Sequence, residues 1–136
     1  MSKLKRVIAI AFLFMALGIG MELYLLDHYE DTQQLIPIIC IAAALLGALI
    51  WFNRRDNASQ AAFKWILFLT ALSGVYGVYL HLQANYEFEL EMKPALSGWE
   101  LFTESLSGAL PALAPASMIV LALIGYSYYL LLKHQE

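Results

Sequence analysis

The sequence predicts an all-α membrane protein, a bundle of four transmembrane helices with up-down-up-down topology and a short amphipathic helix in the outer loop between spans 3 and 4. The 136 residues are 61% hydrophobic and only 14% charged, whereas soluble domains carry about a quarter charged residues. The apolar residues gather in four stretches, near 7–26, 35–52, 61–82 and 117–132. Each is close to the roughly 17–25 residues that cross a hydrocarbon core of about 30 Å. We expect residues 1–136 to form a single transmembrane domain.

Basic residues gather on one side of the predicted membrane. Seven of the eight Lys and Arg residues lie near the start of the chain, the second connection or the end, and Lys93 is the exception. Bases in short loops are retained on the cytoplasmic side. We therefore expect both termini and loop 53–60 to be cytoplasmic, and segments 27–34 and 83–116 to face outward. The aromatic residues expected at the inner membrane interface are Trp51, Phe52, Trp65, Tyr126, Tyr128 and Tyr129.

Small residues at four-residue spacing predict where the spans touch, because helices in lipid associate by close packing. Connections as short as 27–34 and 53–60 make consecutive spans antiparallel neighbours, which gives the up-down-up-down order. The pattern fits packing within the bundle better than a dimer face. The pairs are Ala16 with Gly20, Ala43 with Gly47, Ala44 with Ala48, and Ser73 with Gly77.

Composition and cysteine content exclude several classes of protein. Cys40 is the only cysteine, so no CxxC pair exists and the membrane disulfide-forming oxidoreductases are excluded. Within the second span we expect Cys40 to be a small packing residue. The short basic segments are explained by topology, and none forms the extended patch that nucleic-acid binding requires.

The last outward segment contains the predicted amphipathic helix, at about residues 98–107. Ser97 and Glu100 fit the S-x-x-E capping box of a helix start. Trp99, Phe102 and Leu106 follow at helical spacing, so we expect a helix lying on the outer membrane surface with this stripe in the headgroup region. The apolar run 109–115 is broken twice by proline, and we expect it to dip against the bundle.

The run from Tyr86 to Met92 alternates apolar or aromatic residues with glutamates. Period two is typical of a strand, yet a lone strand beside a four-helix bundle has no pairing partner. We expect an extended segment on the outer surface. Two alternatives are an edge offered to a partner by strand addition and a disordered acidic loop.

A few side chains could carry chemistry at the outer face. Glu22 lies within the first span, where an ionisable group usually faces the bundle or water. His28 follows the first span and His81 ends the third. These two spans run in the same direction, so the two histidines could be close. Imidazole and carboxylate together suit divalent metals, and two facing histidines could instead ligate haem iron. The predicted metal ligands are Glu22, His28, His81, Glu30, Asp31 and Glu87.

Several stretches resemble a group of small four-span bacterial inner-membrane proteins of unknown function. The resemblance implies a fold and a multi-pass location in the bacterial inner (cytoplasmic) membrane. It implies no activity, cofactor or partner. The stretches are 28–31 through 35–37, Gly77-Val78-Tyr79-Leu80-His81 with Asn85 and 87–89, and Gly98-Trp99-Glu100-Leu101-Phe102 followed by 111–115.

The sequence reveals no nucleophile–base pair, so we expect a non-enzymatic accessory or assembly subunit. Its acidic outer face would dock a partner, either another membrane or periplasmic protein or a second copy of this chain, while its spans contact the lipid bilayer. One alternative is a divalent metal-binding or transport protein that uses the outer His and Glu residues, and a further alternative is a b-type haem protein. The residues expected at the partner interface are Trp99, Phe102, Leu106, Tyr86 and Phe88.

Overall fold

The computed structural model describes residues 3–133, and within that range the chain is helical and contains no strand. Four segments are long and apolar enough to cross a membrane, and they are Lys3–Leu25, Thr32–Arg54, Asn57–Met92 and Ala114–Lys133. The prediction of four helices long and apolar enough to span a membrane is therefore confirmed. The elements are α1 (Lys3–Leu25), α2 (Thr32–Arg54), α3 (Asn57–Met92), α4 (Gly98–Leu106), a 3-10 helix (Ala114–Ala116) and α5 (Ser117–Lys133).

The long helices pack around one core. α3 packs against both α2 and α5, and α1 closes the bundle against α5 and, more lightly, α2. Phe12, Phe63 and Leu121 are almost fully buried at the centre. Many large apolar side chains instead point outward, and Phe14, for example, is 75% exposed. An apolar exterior is the surface that lipid requires, and packing rather than water exclusion then holds such helices together.

Small residues allow the close approaches, as the sequence predicts for most of the pairs. Ala16 and Ala44 are fully buried. A methyl group on Gly47 would lie 3.3 Å from the ring of Phe63 on α3. The space beside Gly20 is open, with no heavy atom within 4 Å of such a methyl group. Cys40 is partly buried and packs at the edge of the core, as a small packing residue does.

Three aromatic residues expected at the inner membrane interface lie inside the bundle. Trp51, Tyr128 and Tyr129 are each at most 7% exposed. The Trp51 ring centroid lies 5.4 Å from that of Phe63 and 5.4 Å from that of Tyr129. For these three residues the prediction that they line the lipid interface is wrong, because their rings fill the space between helices.

Acidic side chains begin two of the long helices. The Asp31 carboxylate accepts a hydrogen bond from the Gln33 amide, and the Gln34 side chain bonds back to the Asp31 amide, which completes a capping box. The Asp56 carboxylate accepts from the Ser59 amide at 2.6 Å. Ser97 occupies the corresponding position of α4 but makes no side-chain cap bond. The capping box predicted there is therefore wrong, and α4 depends on other contacts.

Candidate functional site

The acidic end of the bundle, residues 26–34 and 81–111, contains the predicted functional residues. It is built around an unexpected continuation of α3. The run 86–92 is helical and continues α3 to Met92, so the expectation of an extended segment is wrong. An extended lone segment would leave its backbone groups without partners, whereas helix continues to satisfy them. The sequence signal was the absence of any proline or glycine between Gly77 and Pro94.

α4 folds back along this continuation to form a helical hairpin, residues 83–106. Leu101 and Ser105 form the buried face of α4. The connection of five residues joins Met92 to Gly98, and the side chain of Asn85 reaches the Ser105 carbonyl at 2.9 Å. Asn85 lies about two turns before the end of α3, and Ser105 lies about two turns after the start of α4. Because these two residues are in contact, the two helices are antiparallel. The orientation of α4 is therefore tied to that of α3.

Asn85 fastens the hairpin to the segment that follows it. Its amide nitrogen donates to the carbonyls of Ser105 and Leu110 at 2.9 and 2.8 Å, and its amide oxygen accepts from the Leu110 amide at 2.9 Å. The side chain is 2% exposed. A methyl group on Gly108 would lie 2.5 Å from the Asn85 side chain, so the turn passes directly over it. Sequence reasoning missed this role, because it depends on a turn distant in sequence.

Lys93, the base that departs from the charge segregation, joins the end of α3 to the last turn of α4. Its ammonium lies 2.9 Å from the Glu104 carboxylate of α4 and 3.2 Å from that of Glu89 on α3. Hydrogen bonds to Glu104 and then to Glu89 raise the pKa of Lys93 above its ordinary value. The Glu89 side chain is only 10% exposed while that of Lys93 is 50% exposed, so water screens part of this interaction.

His28 and His81 lie close together at the acidic end of the bundle. The ring centroids of His28 and His81 lie 6.5 Å apart with the rings edge to face. Nδ1 of His81 lies 3.1 Å from the Pro111 carbonyl; since a carbonyl only accepts, that nitrogen is the donor of the hydrogen bond. Burial, and next the neighbouring His81, lower the pKa of His28, while the Asp31 carboxylate opposes the shift.

The other predicted metal ligands are placed apart from this pair. Glu22 is exposed in the last turn of α1, and Glu87 accepts a hydrogen bond from Gln83. Glu87 follows His81 by six residues, which puts it on a different side of α3. Glu30 is exposed, and Asp31 caps α2. Among residues 3–133 no group of three or more His, Cys, Asp and Glu side chains is arranged to hold a metal ion.

The predicted interface residues are all exposed on the hairpin, although Tyr86 and Phe88, two residues apart on α3, lie on different sides of that helix. The rings of Trp99 and Phe102 lie 5.4 Å apart, and Trp99 is 74% exposed. Phe102, Leu106, Tyr86 and Phe88 are also exposed. Glu87, Glu91, Glu100 and Glu104 are exposed on the same two helices. The hairpin thus combines exposed aromatic residues with negative charge.

Comparison of the chain with protein-family models, with curated proteins and with solved structures finds no match in any of the three. The function therefore has to be inferred from the geometry of the acidic end. That geometry offers an exposed aromatic and acidic hairpin, and a histidine pair beside its base.

Proposed function

We propose that this protein is a small non-enzymatic accessory or assembly subunit of the bacterial inner membrane that docks a partner protein through its hairpin. We further propose an up-down-up-down bundle with both termini in the cytoplasm and the hairpin outside. The segregation of basic residues from acidic ones supports that orientation. The four helices that are long and apolar enough to cross a membrane support a multi-pass location.

The exposed surface of the hairpin is the observation that carries the proposal. α3 has 36 residues, which corresponds to about 54 Å at about 1.5 Å per residue and exceeds a hydrocarbon core of about 30 Å. Its last turns and α4 would then extend beyond the membrane surface. Exposed apolar patches rimmed by polar groups mark interaction sites, and aromatic residues are enriched among those that dominate binding energy.

The side chains also indicate the chemistry of the partner. Five glutamates and one lysine lie between residues 83 and 106. A surface with complementary basic groups and an apolar pocket for Trp99 would match them. The frame is fixed by Asn85 and by the Lys93 ion pairs, so little order would have to be gained on binding.

Site-specific photo-crosslinking in membranes tests the proposal. A photoreactive phenylalanine analogue is placed at Phe102 on the hairpin or, as a matched control, at Phe68, which is also exposed but lies on a spanning segment. We expect one discrete protein adduct from position 102, lost when Trp99→Glu is added, and no such adduct from position 68. The proposal is contradicted by no adduct at position 102, or by the same adducts at both positions.

A divalent metal site at His28 and His81 is a second candidate, and one hydrogen bond favours it. Metal-binding histidines usually donate their other ring nitrogen to a carbonyl or carboxylate, as His81 does to Pro111. Calorimetric titration with Zn²⁺ should then show binding that His28→Ala and His81→Ala each abolish and that His134→Ala leaves intact. Wild-type protein that takes up no zinc contradicts it. The haem prediction is tested by the absorption spectrum, since absence of a Soret band excludes it.

A further inference from the structure

A second surface lies at the opposite end of the bundle, between α3 and α5. Here the two helices leave a groove of about 410 Å³ on the outside of the bundle, within the range of about 300–1,000 Å³ typical of small-molecule sites. Its walls are apolar and aromatic, with one charged residue at the rim. They include Lys64, Trp65, Phe68 and Ala71 from α3, and Leu123 and Tyr126 from α5.

The groove has a polar end and an apolar end. Lys64 lies about two turns from the start of α3, and Tyr126 about two turns from the end of α5. Both helix ends belong to the basic side of the bundle, with Arg54 and Arg55 just before α3 and Lys133 at the end of α5. Phe68, Ala71 and Leu123 continue the groove toward the middle of the spans.

Among residues 3–133, no carboxylate pairs with Lys64. Its ammonium lies 5.7 Å from the centre of the Trp65 ring, and no carboxylate of residues 3–133 lies within ion-pair distance of it. A lysine on a spanning helix extends its charge toward the headgroup layer while its methylene chain covers apolar surface. A headgroup phosphate can therefore act as the counter-ion of the Lys64 ammonium.

We propose that this groove binds an anionic phospholipid, with one acyl chain along Phe68, Ala71 and Leu123 and the phosphate against Lys64. The proposal does not depend on the hairpin or its partner. Two properties select this ligand. The surface is apolar over its whole length except at one rim, and the charge there is positive, with no carboxylate of the described range 3–133 beside it. An anionic lipid has the matching arrangement of an apolar tail and a negative head.

Quenching of Trp65 fluorescence by brominated phospholipids tests the proposal in vesicles containing the full chain. The chain has three tryptophans, so the fluorescence of Trp65 is obtained by subtracting the fluorescence of the Trp65→Phe variant from that of wild type. With equal, small fractions of brominated phosphatidylglycerol or brominated phosphatidylcholine in phosphatidylcholine vesicles, we expect about fivefold preferential quenching by the anionic lipid. A fivefold ratio of quenching corresponds to about 1 kcal/mol, which is the attraction of one lysine or arginine to an anionic membrane surface.

Variants separate the groove from a general attraction to the basic side. Lys64→Gln should bring the ratio close to one, and Lys64→Arg should retain it. Ala71→Phe should lower it by filling the groove while keeping the charge. Arg54→Gln, a matched exposed base outside the groove, should leave it unchanged.

Four results would overturn the proposal. The first is equal quenching by the two lipids in wild type. The second is a preference that survives Lys64→Gln, and the third is an equal loss in Arg54→Gln. The fourth is Trp65 shielded from every lipid, which would mean that a second copy of the chain covers the groove.

Discussion

Asn85 illustrates how one buried amide determines the shape of the acidic end. One of its three hydrogen bonds reaches the Ser105 carbonyl in the last turn of α4, and the other two satisfy both backbone groups of Leu110 in the irregular turn that follows. Replacement by alanine would leave the Leu110 amide and two carbonyls without their partner, and each such buried group costs about 1–3 kcal/mol. We expect Asn85→Ala to lower the free energy of unfolding by roughly 2–4 kcal/mol.

Reversible unfolding in mixed detergent micelles, followed by circular dichroism, measures this change. Gln83→Ala is the matched control, because Gln83 is exposed on the same helix and bonds only to exposed Glu87. It should change stability by less than about 0.5 kcal/mol. Equal stability of the two variants would show that Asn85 does not hold the turn.

His28 should make stability depend on pH. Its pKa in the folded protein lies below the ordinary value of 6.5, so between the two values the unfolded chain binds more protons. Stability is then complete above pH 6.5 and falls as the pH decreases toward the folded pKa. We expect a lower melting temperature at pH 5 than at pH 7.5, and a smaller difference in His28→Gln. An unchanged difference would assign the pH dependence to other groups.

At the scale of elements, the contact between α3 and the 3-10 helix should be sensitive to a single methyl group. On Gly77 that group would lie 2.6 Å from Cβ of Pro115, whereas on Gly20 it would meet nothing within 4 Å. Overpacking of this kind costs about 1–3 kcal/mol, while alanine in an open helix position gains up to about 1 kcal/mol.

Thermal unfolding in detergent should therefore show Gly77→Ala destabilised and Gly20→Ala unchanged or slightly stabilised. The comparison is matched, because both residues are helical glycines in spanning segments. If Gly77→Ala unfolds at the wild-type temperature, Pro115 does not pack against α3 in solution.

The positions of the four long helices could be predicted from the sequence, because a run of apolar residues is a strong and local signal. The end of α3 could not, since the alternation from Tyr86 to Met92 suggests a strand when read alone. The side chains of Asn85 and Glu89 are buried against α4 and its flanking turn, and that environment exists only after the hairpin forms. The candidate site could likewise be predicted only in part. The proximity of His28 and His81 follows from the topology of the spans, whereas the hydrogen bond from His81 to the Pro111 carbonyl does not.

For the whole molecule, the charge distribution predicts which residues face each side of the membrane. Single cysteines at Ser97 and Ala58, introduced into a Cys40→Ala background, should react differently with a membrane-impermeant maleimide on cells whose outer membrane has been made permeable. We expect labelling at position 97 in intact spheroplasts and labelling at position 58 only after lysis. The opposite pattern would invert the proposed orientation.

The unbroken length of α3 has a mechanical consequence. Pro115 lies against Gly74 and Gly77, at the midpoint of a rod that runs from Asn57 to Met92. Near the start of the rod, Phe63 is fully buried beside Trp51 of α2, so α3 is anchored inside the bundle at that end as well. A sideways load on the hairpin would therefore be transmitted along α3 into the packed core.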